Sequence, residues 1–174
     1  MVQHFRNVFQ YCPTCGTQAE TPTAGPFICP KCDFHFYFPP TIAVGAIIED
    51  EQNRILFIER AKDPGKGKLG LPGGFVDPGE TGEAAVIREI QEEVGLESGT
   101  PEYLVSYPNI YDYKGVRNDV LDLFYRCKVE SFDELTLDPA EVSNFSFLKP
   151  DEAVLNRMAF ESNKLAIQFR LKMS

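Results

Sequence analysis

Gly74-Phe75-Val76-Asp77-Pro78-Gly79-Glu80-Thr81-Gly82-Glu83-Ala84-Ala85-Val86-Ile87-Arg88-Glu89-Ile90-Gln91-Glu92-Glu93-Val94-Gly95-Leu96 is the stretch that decides the fold. It reads as loop, helix, loop. Pro78-Gly79 turns the chain, the helical pattern runs from Thr81 to Val94, and Gly95 suits the left-handed position that closes a helix. At roughly 100° per residue, Val86, Ile87, Ile90 and Val94 gather on one side to meet a core, while Glu89, Glu92 and Glu93 gather on another at i, i+3 and i+4. Like charges at that spacing repel, and no Lys shares their face. A solvated acidic face is the ordinary reading of such a run. The other is a divalent cation, because hard oxygen ligands suit Mg²⁺ or Mn²⁺, which bridges carboxylates, waters and substrate phosphates.

Working outward, Thr41 to Glu49 and Arg54 to Arg60 are apolar, β-rich runs joined by the polar Asp50-Glu51-Gln52-Asn53, which predicts a hairpin. Lys62 to Gly70 reads as a loop and Leu71 to Val76 as a short extended piece. Lys66 and Lys68 in that loop read as solvated charge, with contact to substrate phosphates as the alternative. Beyond the helix, strands are predicted over Tyr103 to Tyr107, Val120 to Val129 and Phe145 to Leu148, and helices over Asp151 to Met158 and near the C-terminus. The class is mixed α+β. Gly65, Gly67 and Gly70 match the dinucleotide fingerprint in spacing alone, since Pro72 stands where a helix should open.

Two pairs of cysteines precede all of this: Cys12-Pro13-Thr14-Cys15-Gly16 and Cys29-Pro30-Lys31-Cys32-Asp33, thirteen residues apart. Four thiolates at that spacing complete a tetrahedron around one structural Zn²⁺, and Gly16 admits the positive φ that a tight turn after the pair often requires. A redox pair would be expected beside a βαβ pattern, and haem attachment needs His directly after the pair. Neither is present. Two disulfides stay open for an exported chain. His35 reads as a packed or surface histidine and Cys127 as a small buried hydrophobe. Pro39-Pro40 interrupts regular structure, so the expected division is a four-Cys zinc ribbon over residues 1–38 and a main domain over 39–174.

The 174 residues suffice for one domain with a small appendage. No apolar run approaches the roughly eighteen residues of a bilayer span, and the N-terminus has neither a secretory nor a transit pattern, so a soluble, cytoplasmic protein is expected. Net charge −9 gives a mean field that repels nucleic acid, and a phosphorylated substrate would need local cations.

Gly74 to Leu96 resembles the Nudix box, G-x5-E-x7-R-E-U-x-E-E-x-G-U with U aliphatic, at every specified position, and Leu71-Pro72-Gly73 is similar to its lead-in. The resemblance implies the Nudix α/β/α sandwich with a mixed sheet. It implies that Glu89, Glu92 and Glu93 ligate catalytic Mg²⁺ or Mn²⁺, with the Gly73 carbonyl as an extra ligand. Arg88 would orient the glutamates, and Glu80 would organise the loop–helix junction. Such ions clamp a pyrophosphate and lower the pKa of a bound water, whose proton passes to Glu93, Glu92 or a downstream acid.

A zinc ribbon ahead of the box resembles the NADH pyrophosphatase branch. Asp138-Pro139-Ala140-Glu141-Val142 is similar to that branch's segment with a further metal-binding glutamate, which makes Glu141 the candidate; a surface acid is its plain reading. The branch's S-Q-P-W-P-F-P-x-S corresponds by spacing to Ser106 through Lys114 and keeps Ser106, Pro108 and an aromatic Tyr111. Ser106 and Tyr111 are therefore the substrate-binding candidates, with base stacking on Tyr111 or Tyr113 and ordinary core or loop tyrosines as the other reading. The expected function is a Mg²⁺-dependent pyrophosphohydrolase of nucleoside diphosphates linked to another moiety: NADH, ADP-ribose or a dinucleoside polyphosphate. A nucleoside triphosphate pyrophosphohydrolase is the enzymatic alternative, and a non-catalytic nucleotide sensor or interaction module the alternative of another class. The resemblance also implies that the ribbon stabilises the fold or a homodimer.

Overall fold

The computed structural model describes residues 2–20 and 25–173. Its strands are β1 (Gln3–His4), β2 (Phe27–Ile28), β3 (His35–Phe36), β4 (Thr41–Ile48), β5 (Ile55–Arg60), β6 (Leu69–Gly70), β7 (Glu102–Tyr113), β8 (Val116–Cys127) and β9 (Val142–Leu148). The helices are α1 (Gly82–Val94), α2 (Glu152–Leu155) and α3 (Glu161–Leu171). These group into two compact units, Met1–Thr41 with Ile110–Asp119, and Ile42–Asn109 with Val120–Ser174.

In the larger unit the β4–β5 turn is tied by Asp50, whose Oδ1 accepts the N–H groups of Gln52 and Arg54 at 2.9 Å each. The two strands touch through one bridge, Glu49 to Ile55, and then part. β4 pairs with β8, which also pairs with β7, while β5 lies antiparallel between β6 and β9. The hairpin expected from sequence thus feeds two sheets. Its strands read as continuous apolar runs because both of their faces are covered. Even-numbered Val44, Ala46, Ile48, Leu56 and Ile58 pack with Ala85, Val86, Ile90 and Val94 of α1. Odd-numbered Ile47, Ile55 and Phe57 pack with Val154 and Leu155 of α2 and Ala166 and Ile167 of α3. Period-two alternation therefore builds helix, sheet, helix layers.

Helix α1 starts at Thr81, whose hydroxyl accepts the Ala84 N–H at 3.2 Å, and ends at Gly95 with φ +67°. Its inward face is turned relative to the sequence expectation. Ile87 is exposed, whereas Glu93 is 5% exposed, level with the apolar face. The segment 71–76 runs along β4 as backbone: Ala46 N–H donates to Pro72 O, Val44 N–H to Gly74 O and Val76 N–H to Ile42 O, at 2.8, 2.8 and 3.0 Å.

β7 and β8 are longer than the sequence suggested, closing at Lys114 and Gly115 with φ +48° and +82°, the signs of a type I′ turn. Two cross-strand pairs carry them through their polar middles: Asn109 Nδ2 donates to Asp122 Oδ2 at 2.9 Å, and Arg117 forks onto Asp112 at 2.8 Å. Asp122 also accepts the Ser162 hydroxyl of α3. Asp151 caps α2, and Arg170 on the last turn of α3 shares Glu49 with Arg126.

The smaller unit has two matching turns. Gly16 N–H donates to Cys12 O and Asp33 N–H to Cys29 O, at 2.9 and 3.1 Å, with φ +69° and +54°. Phe9 stacks on Phe36 and meets Phe27 and Phe38 edge-on, an aromatic core built around Cys12 and Cys29. β2 pairs antiparallel with β3, and β1 parallel with Val116 and Arg117. Among the described residues no helix is long and apolar enough to cross a membrane.

Candidate metal and catalytic site

The loop Leu71 to Val76 meets α1 through two glycines. Gly73 has φ +152°, and a Cβ on it would lie 2.1 Å from Val44 O; one on Gly74 would lie 2.4 Å from Glu89 Oε1. No larger residue fits at Gly73 against backbone, and one at Gly74 would push the Glu89 carboxylate aside. The close approach lets Gly73 N–H donate to Glu93 Oε2 at 2.9 Å.

Burial pushes Glu93 up to about 8; the Gly73 N–H opposes this, negative Glu89 and Glu141 add to it, and Arg60 offsets part of it. Glu89 is raised as well, first by burial, with Arg88 opposing and Glu92 and Glu141 adding. Glu89, Glu93 and Glu141 thus lie close enough to repel one another, Glu141 arriving from the turn before β9, where Asp138 N–H donates to Glu93 O at 3.2 Å.

Arg88 is the counterweight. Its Nε and Nη2 fork onto Glu80 at 3.0 and 2.9 Å, its Nη1 reaches Glu89 Oε1 at 2.8 Å and Glu92 Oε2 at 3.0 Å, and Nη2 also donates to Phe75 O at 3.1 Å. The acidic face, which has no Lys, is thus partly neutralised from within the helix. Glu80 also accepts Asp77 N–H at 3.1 Å and is held well below the usual carboxylate range, by Arg88 foremost. It ties loop to helix.

The donor chemistry fits a hard divalent cation: a buried carboxylate without a full counter-charge, two further carboxylates repelling it, and carbonyl-bearing glycines alongside. The carboxylates are not drawn together. Among the described residues only Cys12, Cys15, Cys29 and Cys32 gather ligand atoms within 4.8 Å of one another, a set that can hold a metal ion. Glu89 and Glu92 turn to Arg88, and Glu141 is ion-paired with Lys62, as repelling acids do when cations are in reach. The four cysteines are free thiols, with Cys12–Cys32 and Cys15–Cys29 sulfurs 3.7 and 3.6 Å apart. The Thr17 hydroxyl and N–H lower Cys15 to about 6, toward the thiolate a metal needs.

Ser106 is half-buried on β7 in the larger unit. Tyr111 belongs to the smaller unit, its ring 6.3 Å from that of Tyr113. Sequence reasoning missed Lys62 and Arg60. Their proximity to Glu141 and Glu93 depends on β5 pairing with β9, a register that no local motif announces. Cys127 is buried, as read, and burial pushes its thiol up to about 11.

An α/β/α sandwich with this loop and acid-bearing helix defines the class. The NUDIX domain family model matches residues 39–169, and the chain belongs to that family. Among curated relatives, it is 54% identical over 63 residues to an ADP-ribose pyrophosphatase of Methanocaldococcus jannaschii, covering 36% of this chain and 37% of that one. Over 63 residues it is 51% identical to an 8-oxo-dGTP diphosphatase of Escherichia coli, covering 36% and 46%. It is 31% identical over 98 residues to an NAD-capped RNA hydrolase NudC of Pseudomonas aeruginosa, covering 56% and 34%. The chain spans under half the length of each of these relatives. A NUDIX hydrolase structure from Nitrosomonas europaea superposes with TM-score 0.70 at 27% identity, covering 91% of this chain and 88% of the other.

Proposed function

We propose that the chain is a divalent-cation-dependent Nudix pyrophosphohydrolase that cleaves the diphosphate of a nucleoside diphosphate linked to another moiety, such as NADH, ADP-ribose or a dinucleoside polyphosphate. The observation that carries it is Glu93: a carboxylate 5% exposed, held by one backbone N–H and pressed by two other acids. Burying such a group in its ionised form is costly unless a ligand supplies the missing positive charge. Glu89, Glu92, Glu93 and Glu141, with the Gly73 carbonyl, would hold Mg²⁺ or Mn²⁺, which when bound polarises a diphosphate and acidifies water. Arg88 fixes Glu89 and Glu92 on α1, and Gly73 N–H fixes the Glu93 carboxylate. Ser106, in the same unit as these glutamates, is the proposed nucleotide contact there, and Tyr111 of the smaller unit is kept as an aromatic face that could stack on a base.

Two of the relatives are named for substrates in which a nucleoside diphosphate carries another group, and this supports the linked-diphosphate reading. The 51% identity to the 8-oxo-dGTP diphosphatase favours a second reading, a nucleoside triphosphate pyrophosphohydrolase. Incubation with a nucleotide panel and Mg²⁺ separates them. AMP from NADH or ADP-ribose supports the first, pyrophosphate from triphosphates the second, and no turnover of any diphosphate leaves a nucleotide sensor. Residues 1–38 are proposed as a ribbon with structural Zn²⁺ on Cys12, Cys15, Cys29 and Cys32, and 39–174 as the hydrolase domain. A cytoplasmic setting and a homodimer complete the proposal.

A further inference from the structure

Lys62 is the second residue beyond β5, next to Ala61, whose N–H donates to the Glu141 carbonyl at 2.9 Å. The β5–β9 pairing sets Arg60 opposite Val142. Backbone register thus places residues 62 and 141 side by side, and the Lys62 ammonium is ion-paired with Glu141 Oε1. The same carboxylate repels Glu89 and Glu93. Both partners are open to water, at 52% and 39% side-chain exposure, and pairs so exposed are held weakly.

We propose that Lys62 serves Glu141 as an internal counter-ion in the free protein and exchanges partners when substrate arrives. On that event the carboxylate turns to the divalent cation and the ammonium to an oxygen of the diphosphate. The inference rests on the cation-dependent reading above. The exchange replaces one exposed ion pair by two contacts to the ligands, so cation and diphosphate each favour the other's binding through this one side chain. Coupling of that kind is reciprocal. Lys62 therefore competes with the cation in the absence of substrate and assists it in its presence.

Two consequences follow that a merely structural lysine would not produce. Replacing Lys62 by Gln leaves Glu141 free for the cation, so the substrate-free protein binds Mn²⁺ more tightly, by about fivefold. The same change removes a substrate contact, so KM rises while kcat is little altered, the signature of lost uniform binding. The test follows Mn²⁺ binding by the paramagnetic resonance of the free ion, counting the sites lost in Glu93→Gln. It compares wild type, Lys62→Gln, Glu141→Gln and the double variant. The expected result is a tightening in Lys62→Gln that shrinks below about twofold when Glu141 is already Gln, with wild-type affinity restored by Lys62→Arg. Equal tightening in both backgrounds would assign the effect to bulk charge and overturn the proposal, as would unchanged Mn²⁺ affinity or unchanged KM. A wild-type protein without any Glu93-dependent Mn²⁺ site would instead overturn the cation reading beneath it.

Discussion

Glu93 concentrates the chemistry of the larger unit in one side chain. Its folded pKa of about 8 lies above the ordinary carboxylate value, so the native state retains a proton that the unfolded chain releases. Stability of the cation-free protein therefore falls as pH rises from the usual carboxylate range through about 8, and levels off above it. Glu93→Gln, which cannot ionise, removes the Glu93 share of that slope and leaves the part that Glu89, also raised by burial, contributes. Melting temperatures measured from pH 5 to 9 in chelator are expected to decline in wild type and to decline less in the variant. A bound cation reverses the requirement, since it needs the ionised form. Mg²⁺ affinity should rise with pH up to about 8, with close to one proton released per ion below it, measured by titration calorimetry in buffers of different ionisation heat. Glu93→Gln should also lose about 10²-fold or more in kcat. The place of Glu89, Glu92 and Glu93 on one helix was legible from their spacing, but the burial of Glu93 was not. It depends on a glycine twenty positions upstream folding over it. Gly73→Ala, which would set a methyl against Val44 O, is expected to cost about 3 kcal/mol or more of unfolding free energy in urea.

Helix α1 was readable because its signals are local: a capping threonine, an apolar period and a closing glycine. Thr81→Ala, which removes the acceptor of Ala84 N–H, is expected to lower stability by about 1 kcal/mol in urea denaturation. Because the hinge between loop and helix is held separately by Glu80 and Arg88, cation affinity should change little. Contacts far apart in the chain were not readable. β7 and β8 continue through Pro108, Asn109, Asn118 and Asp119, which look like strand breakers, because Asn109–Asp122 and Arg117–Asp112 satisfy polar groups across the hairpin. The parting of β4 from β5 was equally hidden, since an apolar run does not say which partners cover its faces.

At the scale of the molecule, each unit has its own core; the smaller holds a sulfur cluster that can take a metal ion, and the larger holds the proposed oxygen donors. Soft and hard donors select different ions. Mild chelation is expected to strip Mg²⁺ and leave Zn²⁺, read by elemental analysis. Cys12→Ser removes a buried sulfur from the centre of the aromatic cluster. Limited proteolysis of that variant should cleave within residues 1–41 at least tenfold faster, a factor on the scale of lost metal-coupled folding. The four-cysteine spacing announced this arrangement in advance, because ligand identity and tight turns are both written locally. The membership of Ile110–Asp119 in the smaller unit was not announced, because only the finished hairpin brings those residues there.

The even and odd positions of β4 and β5 answer to different halves of the interior. Neighbouring letters such as Ala46 and Ile47 are thus separate addresses, one reporting to the acid-bearing helix and the other to the chain's tail. A library randomised at odd positions alone would retune how the tail is seated while leaving the glutamates' footing intact. Blocks of consecutive residues would disturb both at once.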